Sequence, residues 1–133
     1  MPVTITLFYA GLNGLIAVGL AFLVVRQRLS TKNLLGTGGN PALERAIRVH
    51  GNFVEYVPLI LLLMLLLELG RAAPLRLHIM GAALTIGRLL HAWGLSRNSG
   101  RSFGRGAGIA LTWIVLVSAA LSAVIMGANA LWH

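Results

Sequence analysis

Residues 40–68 read NPALERAIRVHGNFVEYVPLILLLMLLLE, and how this stretch is read decides the fold. Its second half is apolar enough for lipid. Its first half places Glu44, Arg45, Arg48, His50, Asn52 and Glu55 in what the pattern makes one continuous helix. Asn40 suits the cap of that helix, Pro41 its first turn, and Glu44 the positive end of its dipole. At helical spacing, Glu44, Arg45, Arg48, Asn52 and Glu55 fall within an arc of roughly 100°, with Tyr56 just beyond it and His50 on the other side. A charge at the bilayer centre costs about 2.5–3.5 kcal/mol on insertion scales, so a helix carrying several turns them toward a bundle interior or a water-filled cavity. The stripe is therefore the leading site candidate.

The rest of the composition agrees with a membrane setting. Of 133 residues, 57% are hydrophobic and only 11% charged, which departs from the soluble average and leaves no length for a separate soluble domain. We expect one domain over residues 1–133, all-α, an integral membrane four-helix bundle with spans at about 5–25, 41–69, 75–95 and 105–131. Eleven Lys and Arg against three acids give +8, which in a soluble chain would suggest nucleic acid. Here most of the positive charge lies in short connections between apolar runs, so no nucleic-acid partner is expected and membrane lipid is. Arg26, Arg28, Lys32, Arg97 and Arg101 in the first and third connections outweigh Arg71 and Arg76 in the second. That places connections one and three in the cytoplasm and both termini outside. The chain has no cysteine, so any thiol chemistry needs a thiol brought by a ligand.

Other polar residues have plainer readings. Asn13 in the first span is expected to hydrogen-bond to a neighbouring helix. The glycine-rich LLGTGGN at 34–40 lacks the strand and the Lys-Ser/Thr pair of a phosphate loop, and reads as a flexible connection. Arg88 and His91 share one side of span three, and a membrane-depth arginine there is expected to pair with a span-two acid such as Glu55. Ala119, Ala123 and Gly127 repeat at four-residue spacing and suggest close helix packing. The histidine spacing supplies no two-ligand pair on one helix, so no metal is expected.

The run Glu44-Arg45-x-x-Arg48-x-His50-x-Asn52-x-x-Glu55-Tyr56-x-Pro58 resembles the second-helix signature of the MAPEG family, the membrane-associated proteins of eicosanoid and glutathione metabolism. The likeness extends to Gly87-Arg88-x-x-His91 late in span three and to Arg105 opening span four, and is nearest to the small bacterial inner-membrane branch. It implies a homotrimer that holds glutathione between adjacent subunits near the cytoplasmic side. Arg48, Asn52, Glu55 and Tyr56 match family residues that grip glutathione, and one of Arg26 or Arg28 matches a basic contact at the end of span one. His91 joins them as a possible lining residue, and Arg105 matches the arginine credited with holding the thiolate. The implied activity is that of a glutathione transferase or peroxidase acting on a hydrophobic electrophile or lipid peroxide. The other reading open to the same fold is a lipid-binding or scaffold protein without chemistry. Leu95 and Gly106 depart from residues found in several eukaryotic members, which argues against a specific eicosanoid isomerase.

Overall fold

The computed structural model describes residues 3–97 and 103–132, the side chains of 95–97 excepted. They form four helices: α1 (Thr4–Thr31), α2 (Pro41–Leu69), α3 (Pro74–Arg97) and α4 (Phe103–Leu131). Among the described residues, α1, α2 and α4 are long and apolar enough to cross a membrane, with mean hydropathies of 2.1, 1.9 and 2.4 in their most apolar stretches. α3 has the length but falls short in apolarity, because Arg76, His78, Arg88 and His91 interrupt it.

The end of α1 and the start of α4 differ from expectation. α1 continues beyond Val25 to Thr31, so Arg26 and Arg28 ride on its last turns instead of in a loop. It stops at Lys32, which takes a left-handed conformation. The glycine-rich connection that follows is pinned rather than loose. One nitrogen of Arg28, Nη1, donates to the carbonyls of Asn33, Leu34 and Gly36 at 3.2, 3.0 and 3.1 Å. Gly36, Gly38 and Gly39 supply the positive φ angles that this tight path requires. α4 likewise starts at Phe103, one half-turn before Arg105. The start of α2 follows its sequence signals: Asn40 Oδ1 accepts from the amides of Ala42 and Leu43, both at 3.0 Å, with Pro41 in the first turn.

α2 is the hub of the core. Its buried Val49, Phe53, Val57, Ile60, Met64 and Leu67 recur at steps of three and four residues and meet Leu77, Met80 and Leu84 of α3, Val115 and Ala119 of α4, and Tyr9 and Leu20 of α1. Asn13 donates to Thr85 Oγ1 on α3 at 3.0 Å, as its position in an apolar run led us to expect. The most extensive helix pair is α3 with α4. Its seam runs through Gly104, Gly108, Thr112, Val115 and Ala119, whereas Ala123 is half-buried and Gly127 faces outward. The small-residue repeat expected to mark close packing thus holds at Ala119, weakens at Ala123 and fails at Gly127. The backbones meet at Gly87 and Gly108, where a Cβ on Gly108 would lie 2.5 Å from the Gly87 carbonyl and 2.6 Å from the His91 amide. Gly108→Ala is expected to destabilise the protein by about 1–3 kcal/mol, since rigid backbone must yield. Gly127→Ala should be neutral or slightly stabilising, because nothing lies within 4 Å of the added carbon. Thermal unfolding of the two variants in detergent checks the contrast.

At the opposite end of the bundle, Glu68 reaches from the last turn of α2 to the first turn of α1. Its Oε1 accepts from the Ile5 amide at 2.8 Å and its Oε2 from the Thr6 amide at 2.7 Å. α1 has no side-chain cap of its own at Val3, so this borrowed carboxylate serves its positive dipole end. Glu68→Gln keeps one acceptor and loses the charge. We expect it to cost about 1 kcal/mol, read as a lowered unfolding midpoint in the same assay.

Candidate functional site

The polar stripe of α2 resolves into separate destinations. Arg48, Asn52 and Glu55 stand on successive turns of one face, and α3 brings His91 alongside them. α4 adds Arg105, which the close Gly87–Gly108 crossing holds near the α3 backbone around His91. With Ile47 and Gly51 these residues line a cavity of about 400 Å³. Arg48, Glu55 and Arg105 are exposed at its mouth, Asn52 is half-buried, and His91 is buried at its back.

Behind the cavity lies a buried cation. Arg88 is completely enclosed, with its guanidinium 5.5 Å from the centre of the Phe53 ring. Nη2 donates to Asn52 Oδ1 at 2.9 Å and approaches His91 Nδ1 at 3.5 Å. Nη1 reaches Thr112 Oγ1 at 3.5 Å, while the Thr112 hydroxyl donates to the Gly108 carbonyl at 2.8 Å and so turns a lone pair to the guanidinium. A guanidinium only donates, so its contact with His91 requires an unprotonated Nδ1. Nε has no partner.

This corrects the expected Arg88–Glu55 ion pair: Arg88 bonds the neutral amide of Asn52, about one turn nearer the start of α2 than Glu55, which stays at the exposed mouth. Arg88 thereby fixes Asn52 and His91 from behind and leaves the Glu55 carboxylate facing the cavity. Thr112 is a site residue that the sequence did not single out. The clue to its role is that it follows Gly104 and Gly108 at four-residue steps, on the seam that touches α3.

The remaining expected residues lie elsewhere in the single chain. Tyr56 is half-buried against the hydrophobic core. Arg26 is exposed near the end of α1, and Arg28 is engaged with loop carbonyls. Arg45, on the same arc as Arg48 in a helical projection, turns into a different, apolar cleft. Leu95 and Arg97 have side chains outside the described part, and Arg101 lies outside it altogether.

Chemically, the cavity offers two arginines, a carboxylate, a carboxamide and an imidazole within one opening. Guanidinium groups fork onto carboxylates, and a carboxylate accepts from an ammonium. The set matches a small zwitterionic guest with more negative groups than positive ones.

A profile of the MAPEG family matches residues 6–125. The inner membrane protein YecN of Escherichia coli strain K12 is 38% identical over 113 residues, which covers 85% of this chain and 85% of that protein. YecN of strain O6:H1 is similar to the same degree and over the same shares. A profile match over most of the chain, together with relatives aligned along most of their own length, shows that this protein belongs to the MAPEG family.

Proposed function

We propose that the protein is an integral inner-membrane glutathione transferase or peroxidase that works as a homotrimer. The observation that carries this reading is the convergence of Arg48, Asn52, Glu55, His91 and Arg105 on one cavity of about 400 Å³, a size suited to a small molecule. Glutathione has two carboxylates for Arg48 and a second cation, an α-ammonium for Glu55, and a thiol to be placed near Arg105. The name of the YecN relatives supports the inner membrane, and the basic first and third connections support their placement in the cytoplasm. In that arrangement α3 crosses together with α1, α2 and α4, its two most buried polar residues, Arg88 and His91, turned into the bundle.

Exposure supports assembly with further copies, and the family resemblance implies three of them. Arg48, Glu55 and Arg105 lie open on the surface of the single chain, and charge facing lipid is costly. A neighbouring copy removes that cost by covering the cavity mouth. It also brings another set of Arg26 and Arg28 from the same membrane face. Glutathione then binds between copies, where the family resemblance implies that Tyr56, next to Glu55 in sequence, joins the grip.

The chemistry is simple to balance. A guanidinium beside the sulfur favours the thiolate, whose lone pair attacks an electrophilic carbon, forms the S–C bond and expels the leaving group. With a lipid hydroperoxide, the thiolate attacks the terminal oxygen and breaks the O–O bond, giving glutathione sulfenic acid and an alkoxide. The alkoxide becomes the alcohol by taking up the proton that the thiol released. A second glutathione then yields the disulfide and water.

Calorimetry on the detergent-purified protein tests the binding step. Glutathione should bind, and Glu55→Gln should weaken it about tenfold by losing the ammonium partner. Absence of binding to the unaltered protein overturns the reading, and light scattering that finds single chains overturns the trimer.

A further inference from the structure

A second cavity lies on the far sides of α2 and α3 from the first. It is a cleft of about 430 Å³ between α1, α2 and α3, lined by Leu20, Leu23, Val49 and Leu89 among other apolar residues. Ala42, Ala46 and Ala92 create the room, because larger side chains at these places would fill it. Its polar members are Gln27 and Arg45, together at the end nearest the first connection. From Gln27 to Leu20 the helix rises roughly 10 Å, about two-thirds of the depth of one leaflet's hydrocarbon.

We infer that this cleft holds an acyl chain of an anionic phospholipid, with the lipid phosphate on Arg45. Charge selects the occupant. Arg45 is half-buried at the top of the cleft, and among the described residues no carboxylate pairs with it. Arg26, Arg28 and Lys32 lie at the same end of the bundle and draw negative headgroups to it. The apolar stem of Arg45 lies along the cleft while its head reaches the headgroup level. Water gains nothing from walls of leucine, valine and alanine. Glutathione, with its two carboxylates and ammonium, finds one cation and no carboxylate here. The proposal is independent of the glutathione reading and stands or falls by itself.

Native mass spectrometry of the full chain, released from nanodiscs of equal phosphatidylglycerol and phosphatidylcholine, decides the matter. Phosphatidylglycerol should remain bound and phosphatidylcholine should not. Arg45→Gln should lower phosphatidylglycerol retention about tenfold, and Arg45→Lys should keep most of it. Ala46→Trp, which fills the cleft without touching the charge, should abolish retention with helix content unchanged. Equal retention of both lipids by the unaltered protein overturns the proposal even if every variant misfolds. So does indifference to Arg45→Gln, or a free fatty acid found in place of the phospholipid. Since the chain lacks cysteine, Ala92→Cys gives a single thiol in the cleft. Its efficient cross-linking between copies would show a neighbouring chain as occupant, and would also overturn the proposal.

Discussion

Replacing Arg105 with alanine is expected to abolish the ultraviolet thiolate signal of bound glutathione while leaving most of its affinity. A free thiol of this kind ionises near pH 8.5, so only a few per cent is thiolate at neutral pH. A cation within reach of the sulfur stabilises the anion and moves ionisation down by about 1–3 pH units. Removing it moves ionisation back up. The sign of the pH effect follows: the unaltered protein should reach its full conjugation rate at lower pH than the variant, whose rate should keep climbing into the alkaline range. At pH 7 the variant's rate constant should fall roughly 8- to 30-fold, the upper bound being set by the few per cent of thiol that is still ionised without the cation. Affinity depends mainly on the groups for the carboxylates and ammonium, which Arg105→Ala leaves in place. If the signal persists in the variant, a different cation holds the sulfur, and Arg48 is the next to change because it shares the cavity.

The second large effect concerns stability. Arg88→Ala should destabilise the protein by about 3–5 kcal/mol, because it empties a fully enclosed space and strips Asn52 Oδ1 of its donor. Arg88→Met retains much of the volume and removes the cost of burying a cation, so its loss should be markedly smaller. Arg48→Ala, on the exposed rim, should stay within about 0.5 kcal/mol. Denaturant unfolding in mixed micelles ranks the three. A comparable loss for Arg48→Ala and Arg88→Ala would mean that the buried cluster does not hold the bundle together.

Much of this architecture is legible in the sequence, for reasons that can be named. Lipid demands long apolar runs, and Asn40-Pro41 and Gly70 through Pro74 punctuate them, so the four helices and their order follow from local rules. The stripe of α2 was legible because charge in an apolar helix is costly. What could not be read was how that stripe divides. Arg45 and Arg48 lie close in a helical projection, yet the packing of α1 and α3 against α2 sends one into an apolar cleft and the other to the polar cavity. Nor does spacing alone show that Arg88 would choose Asn52 over Glu55, because the choice depends on the depth at which α3 meets α2. The close packing of α4 was legible only at Ala119 for a related reason: several glycines and alanines of α4 offer four-residue repeats, and only the partner helices decide which is used.

The carboxylate that α2 lends to the first turn of α1 bears on how the chain is built. During synthesis α1 emerges first, and the residue that completes its beginning is made 63 positions later than Ile5. The early helix therefore reaches its finished state only once the second has crossed back and delivered Glu68 to the same side of the membrane. Insertion of the opening hairpin is in this sense checked by its own closing residue.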